Sequence, residues 1–370
     1  MISILSAEEV RRALSIRDLT QPAEGPHALQ LLVEAATAAL SSAWNIAARV
    51  HRASPIVSVR DNYDRLGYSP QAAARDARYT RYVCDVALLR TQTSALVPPL
   101  LSELASAELG DVLLVCPGLT YRRDSIDRLH TGEPHQLDLW RMRRGVLGEH
   151  DLGEMVAVLV SALLPERAWQ TSPASHPYTT SGLQIDVRDG DEWVEIGECG
   201  LVAAALLERT GHDPKEVSGL ALGLGLDRLL MLRKGIDDIR LLRSGDERVA
   251  RQMLDLEPYR AVSSMPAVRR DLSLAVDADT SSEDVGDRVR GALGAEADVI
   301  ESIQVLSETP YERLPAAAVE RMGVSPGQKN MLVRVVLRAL ERSLTHAECN
   351  VLRDRIYAAV HRGSRQEWSV

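Results

Sequence analysis

The sequence predicts an α+β protein in two parts: an antiparallel sheet flanked by helices, then a smaller α+β unit. Three observations carry this reading. Strand candidates follow one another through hairpin signals rather than alternating strictly with helices, which favours antiparallel pairing. The 370 residues are many for one domain and ordinary for two. Towards the end, strand, helix, strand, strand and helix patterns follow in turn, most of the ferredoxin-like plan.

Residues 1–26 end in LTQPAEGP, a breaker-rich run that reads as an N-terminal appendage. From His27 to Asn45 apolar residues recur at helical spacing, which predicts a long amphipathic helix. YVCDVALLRTQTSALVPPLLSELA passes from strand into helix character. LGDVLLVCPGLTYRRD reads as a buried strand, a Pro-Gly break and a second strand. Beyond the helix LGEMVAVLVSALL, the segments SGLQIDVRDG and EWVEIGECG are strands joined through an Asp-Gly turn signal. A boundary near 250–258 separates a main domain, 27–257, from a smaller one, 258–370. In the latter, 283–293 predicts a helix, and DVIESIQVLSE and KNMLVRVVLRAL predict strands. The helix THAECNVLRDRIYAAV starts at Thr345 or Ser343, with Glu348 placed for a capping box.

Composition narrows the function. Apolar residues make up 45% but aromatics only 4%, and there is no phenylalanine, so the core must be built from Leu, Val, Ile and Ala. Burial scales with apolar area, so this suffices. A net charge of -9 excludes a generally basic nucleic-acid coat; an RNA ligand would need local basic patches. Cys84, Cys116, Cys199 and Cys349 are scattered, a spacing that argues against a zinc site or disulfide framework. Reduced thiols fit a cytosolic protein. The charged N-terminus has no apolar run long enough for a signal peptide or membrane span, so a cytoplasmic protein with no membrane association is expected.

Three constellations can carry chemistry. In TYRRDSIDRLHTGEPHQLDLWRMRR an arginine ends a strand and is followed by an acidic residue and a loop with more Arg and His. Guanidinium forks bind phosphate oxygens in pairs, although a solvated basic loop reads equally well. In EWVEIGECG, Glu195 on an apolar strand could hold magnesium between nucleotide phosphates, with a partnered core carboxylate as the plainer alternative. GLGLDRL lacks the spacing of a Rossmann fingerprint or P-loop, yet its glycines let backbone approach a flat ligand beneath Arg228.

In this order and spacing the three resemble the signatures of class II aminoacyl-tRNA synthetases, and specifically phenylalanyl-tRNA synthetase. YRRD resembles motif 2, which implies that Arg122 grips the α-phosphate of ATP. GLGLDRL resembles motif 3, which implies that Arg228 packs on the adenine side. The resemblance implies Mg²⁺ at Glu195, with Asp124, His130, Pro134 and Gly225 completing an ATP site. It places Gln92, Ser94, Gln136, Asp138, His176, Tyr178, Leu220 and Ala221 around the amino acid. LLRTQTS, HQLD and LRKGIDDIR match family stretches as well. The tail from Tyr259 to about Val360 resembles the ferredoxin-fold anticodon-binding domain, the single-chain organellar arrangement. It implies tRNA as partner, with Arg353, Arg355, Arg362 and Arg365 as a phosphate-facing end, or equally a solvated helix face. The segment from Pro258 onward is nearly neutral, so most of the negative charge precedes it. The helix from His27 occupies the place of motif 1, and a monomer or homodimer is expected.

The chain departs from the family pattern in one direction. Leu220 and Leu222 stand where relatives carry Phe, and His176-Pro177-Tyr178 replaces Phe-Pro-Phe. Pro134 replaces the Phe that stacks on adenine. A sequence purged of phenylalanine accounts for these, and would suit a protein made when Phe-tRNA is scarce. It does not account for Gln92 in place of His, Asp138 in place of Glu, or Thr180 and Ser181. A pocket gaining hydroxyls and an imidazole should prefer a more polar or larger side chain, with phenylalanine a poor substrate. The expected activity is ATP-dependent activation of an aromatic amino acid or analogue, then transfer to tRNA. The rivals are a paralogue that passes its adenylate to another acceptor, and a tRNA-binding protein without chemistry.

Overall fold

The computed structural model describes residues 4–77, 79–105, 109–123, 127–262, 265–340 and 342–365. Two compact units emerge. The first comprises 1–122, 133–236 and 252–259; the second comprises 123–132, 237–251 and 260–370.

The first unit opens with α1 (Ala7–Leu14), started by a reciprocal Ser6–Glu9 capping box. The breaker-rich run after α1 is stitched to the sheet rather than set apart. Asp18 accepts from the Leu119 amide at 3.1 Å, and the Leu19 amide donates to His135 Nε2 at 3.1 Å. The predicted long helix is α2 (Ala28–Trp44), capped by the His27 ring and ended by Asn45 in the left-handed region, φ 51°. Strands β1 (Ala48–Val50), β2 (Ile56–Ser58), β3 (Tyr82–Cys84) and β4 (Ala87–Leu89) follow, then α3 (Val97–Ala105). β5 (Val112–Leu119), β6 (His135–Arg144), α4 (Glu149–Leu163), β7 (Trp169–Pro173), β8 (Thr179–Asp189) and β9 (Glu192–Val202) come next. The unit closes with α5 (Ala204–Arg209), β10 (Val217–Gly225) and α6 (Leu226–Lys234).

Seven strands form one sheet in the order β1-β5-β6-β10-β9-β8-β7, antiparallel throughout except for β1 beside β5. Strands β2, β4 and β3 form a small separate sheet. The back of the large sheet carries Leu113, Val115, Leu137, Leu139, Leu222 and Leu224, all buried. Helices α2, α4 and α6 lie against its strands. The lower front is filled by Leu114, Trp140, Met142, Val217 and Ala221 with residues of α3 and α5.

The expected Pro-Gly break is absent: β5 runs unbroken through Pro117 and Gly118. Val115 faces β1, its carbonyl accepting from the His51 amide at 2.8 Å. Two residues on, Pro117 points to the same side, where β1 has already ended, so its missing N–H forfeits no ladder bond. The β8–β9 hairpin turns at Gly190-Asp191, one residue later than the Asp-Gly signal. Gly190 at φ 58° takes the first central position of the turn.

The second unit contains α7 (Glu247–Gln252, its last residue counted with the first unit), β11 (Val268–Asp277), α8 (Ser282–Leu293) and β12 (Ile300–Pro310). These are followed by α9 (Ala316–Met322), β13 (Gln328–Leu337) and α10 (His346–Val360). Its antiparallel sheet has the order β11-β13-β12, with α8 and α10 sharing one apolar core over it. This is the strand order of a ferredoxin-like unit without its fourth strand. Past α10 the chain turns onto the free edge of β11, where Ala275 bonds both the His361 ring and the Arg362 amide. α10 is capped by Thr345 and Glu348.

Candidate active site

The upper front of the large sheet is where polar side chains converge. Gln136 and Asp138 on β6 face Gly225 and Gly223 on β10, and Gly223 in turn faces Glu198 on β9. A Cβ at Gly223 would meet nothing nearer than Asp138 Oδ2 at 4.0 Å; one at Gly225 would meet nothing nearer than the Ile196 carbonyl at 4.0 Å. The floor between the two glycines is therefore open.

An extra residue in β9 brings the carboxylates together. Ile185 pairs with Gly197 and Asp186 with Glu195, so β9 spends two residues where β8 spends one. This bulge puts Glu195 on the same face as Glu198, which a regular strand could not do at a spacing of three. Burial, then Glu198, raises the Glu195 pKa, while Arg228 lowers it; Asp186 and Arg122 act on it more weakly. Arg228, in the first turn of α6, donates from Nη1 to the Glu195 carbonyl at 3.0 Å. Arg122 is exposed just past β5, its Nε held by the Thr91 carbonyl at 2.9 Å. Its own carbonyl accepts from Arg81, which pairs with Glu133.

Below this lies a buried carboxylate. Asp138 accepts from Thr93 Oγ1 at 2.6 Å, Ser94 Oγ at 2.8 Å and Trp140 Nε1 at 3.0 Å. Burial raises its pKa and the three donors pull it back. Gln136 Oε1 holds the Thr93 amide, and Gln92 spans the Asn62 carbonyl and the Tyr68 hydroxyl. His176 Nε2 pairs with Glu198 at 2.9 Å, both partly exposed. The Tyr178 ring lies between His176, Tyr68 and Trp140 and stacks on the indole at 5.9 Å. The Pro134 carbonyl accepts from both the Thr120 amide and its hydroxyl. His135 is fixed by Asp227 at Nδ1 and the Leu19 amide at Nε2, which assigns the Nδ1–H tautomer and ties α6 to β6.

A family described as tRNA synthetases class II core domain (F) matches residues 35–253, more than half of the chain. The chain belongs to this family. Among curated relatives, a phenylalanine–tRNA ligase alpha subunit from Prochlorococcus marinus (strain NATL2A) is 34% identical over 191 residues. The match covers 52% of this chain and 56% of that one. The alpha subunit from Streptococcus pyogenes serotype M18 is 32% identical over 203 residues, covering 52% and 58%. The chain thus spans about half the length of the curated relatives it matches. Two solved pyrrolysyl-tRNA synthetase structures from Desulfitobacterium hafniense align at TM-scores of 0.46 and 0.47. Both are 19% identical over 64% of this chain, covering 78% and 80% of theirs. As a class II synthetase core, the antiparallel sheet with its flanking helices is the expected fold.

Not every expected residue joins the site. Leu220 sits opposite Arg141 and Leu201, on the back of the sheet from Ala221, and is fully buried. Strand alternation makes it and Leu222 core residues behind the sheet. Asp124 lies outside the described residues. His130 falls in the second unit, its ring against Asp127. The four tail arginines lie in the second unit, each near a neighbour of its own. Arg353 pairs with Asp354, Arg355 with Glu296, and Arg365 with Glu320, while Arg362 bonds the His361 carbonyl at 3.4 Å. Sequence reasoning missed Thr93, Trp140, Asp186 and Glu198. Period-2 counting from Asp138 would have found Trp140, but the bulge hid Glu198.

The Glu195 carboxylate, crowded by Glu198 and countered by Arg228, is a hard oxygen donor of the kind a magnesium ion takes. No preassembled group of three ligating side chains occurs among the described residues. Among those residues, no helix is long and apolar enough to cross a membrane.

Proposed function

We propose that this chain is an ATP-dependent ligase that activates an amino acid as its adenylate and passes the acyl group to tRNA. The carrying observation is that Arg228 holds the Glu195 backbone beside an open glycine floor, with a buried carboxylate next to it. A carboxylate oxygen of the amino acid attacks the α-phosphorus of ATP, the bond to the bridging oxygen breaks, and pyrophosphate leaves. A terminal ribose hydroxyl then attacks the acyl carbon and AMP leaves. Arg122 steadies the α-phosphate, Arg228 lies over the adenine with Pro134 and Gly225 nearby, and Asp138, with Ser94, receives the substrate ammonium. Gln92 and Gln136 hold that shelf in place. Magnesium at Glu195, when bound, would neutralise phosphate charge. Positioning and fixed charge do most of the work, since phosphoryl chemistry asks little covalent help.

The second unit would serve as the anticodon-arm reader of a single-chain, organellar-like enzyme, monomeric or homodimeric and cytoplasmic. Its ferredoxin-like strand order supports this. A second reading sends the adenylate to another acceptor; the surface ion pairs of Arg353, Arg355 and Arg365 do not separate the two, since pairs of this kind are worth about 0–1 kcal/mol. ATP–pyrophosphate exchange against all standard amino acids, with and without magnesium, tests the activation step. Charging of labelled tRNA then separates the acceptors. Absence of exchange with every acid would overturn the ligase reading.

A further inference from the structure

The open floor on the front of the sheet is short. It extends from Gly223 to Gly225, and closes one pair of residues lower, where Ala221 lies directly opposite Trp140. Trp140 is completely buried and Tyr178 nearly so. Trp140 is pinned at its polar end, its indole N–H donating to Asp138 at 3.0 Å, and the Tyr178 ring is packed against Tyr68, His176 and Trp140. Trp140 and Tyr178 stack on each other with 26° between planes. The protein's own rings therefore fill the sheet face beside the carboxylate that would hold the substrate ammonium. On the rim across from Gly223 stands the His176–Glu198 pair, polar and partly exposed.

Resting on the ligase reading above, we infer that Trp140 and Tyr178 occupy the volume an aryl side chain would need. The acid this site activates then carries a short hydroxyl or carboxamide side chain, met by His176 and Glu198. Trp140 is the specificity-determining residue. Moving it would break its bond to Asp138 and open a void beneath Tyr178, so the rings do not yield to a bulky ligand at little cost.

Calorimetric binding of non-hydrolysable aminoacyl-sulfamoyl adenosines to the full chain tests this without requiring turnover. The seryl and asparaginyl analogues should bind at least about tenfold more tightly than the phenylalanyl one. Trp140→Gly should narrow or reverse that ranking by gaining affinity for the phenylalanyl analogue. Tyr178→Ala offers the same gain should Trp140→Gly fail to fold, and the wild-type ranking needs no variant. Phenylalanyl binding to the wild type as tight as seryl would overturn the inference and leave the ligase reading standing. Binding of no analogue to any folded protein would overturn both.

Discussion

Arg228 donates to the backbone carbonyl of Glu195 at 3.0 Å, so the first turn of α6 is tied to the bulged part of β9 that carries the site carboxylate. One guanidinium thus meets the strand through its backbone and lowers the pKa of its side chain through space. Lysine cannot do both, since its ammonium lacks the planar fork. Arg228→Lys should lower pyrophosphate exchange about 100-fold while leaving the thermal midpoint nearly unchanged. Steady-state exchange kinetics, paired with thermal melts, check this. A rate within threefold of wild type (about 0.6 kcal/mol) would remove Arg228 from the site.

Glu195 supplies a pH signature. Its folded-state pKa is raised, first by burial and then by Glu198, so ionising it costs the folded state something that it does not cost the unfolded chain. The group therefore contributes least to stability above its folded pKa, and the deficit disappears as pH falls below the ordinary value of 4.5. Glu195→Gln should accordingly melt at or above the wild-type temperature at pH 8, with the two curves converging near pH 4. Magnesium should raise the wild-type midpoint at pH 8 and leave that of the variant unmoved. A variant that melts lower than wild type at pH 8 would show the carboxylate to be a stabilising core partner instead.

Asp138 makes the opposite case. Thr93, Ser94 and Trp140 all donate to it from buried positions, so its removal strands donors where water cannot reach. Asp138→Ala should cost about 3 kcal/mol, a penalty typical of buried polar groups left unpaired. Asp138→Asn should cost less, because one amide oxygen still accepts. Urea unfolding followed by tryptophan fluorescence reads both, and the Trp140 environment should change with the loss of its Nε1 partner. A cost below about 1 kcal/mol for the alanine variant would mean the donors find other acceptors.

Much of this was legible in the sequence, for reasons that differ by element. The helix from His27 to Asn45 was visible in its periodicity, and its ends are the two residues whose side chain and left-handed backbone make good caps. The order of motifs placed Arg122, Glu195 and Arg228 near one another, which no single segment could do. What stayed hidden depended on pairing. Pro117 is tolerated because a neighbouring strand ends two residues earlier. Glu198 joins Glu195 because of one extra residue in β9. Leu220 falls behind the sheet because Ala221 faces the front, a parity that Asp138 and Gly223 set across the ladder. Composition also does not record which acidic side chains come near the tail arginines, such as Glu296 beside Arg355 and Glu320 at 3.6 Å from Arg365.

Two glycines one strand apart should respond in contrary ways to the same substitution. A Cβ on Gly197 would run into the Gly223 carbonyl, a backbone atom held in the β9–β10 ladder and unable to yield. A Cβ on Gly223 would find only Asp138 Oδ2, at an ordinary contact distance of 4.0 Å. Gly197→Ala should therefore destabilise the first unit by about 2 kcal/mol or more, as overpacking does when backbone must move. Gly223→Ala should fold with a nearly unchanged midpoint, because the added methyl enters open space. That space is the floor on which the proposed adenylate would rest, so the folded Gly223→Ala protein should lose most of its exchange activity through a raised KM. Circular dichroism melts separate the two stabilities, and exchange kinetics over a range of ATP and amino-acid concentrations show which substrate the methyl displaces. Full activity in Gly223→Ala would place the substrates elsewhere on the sheet.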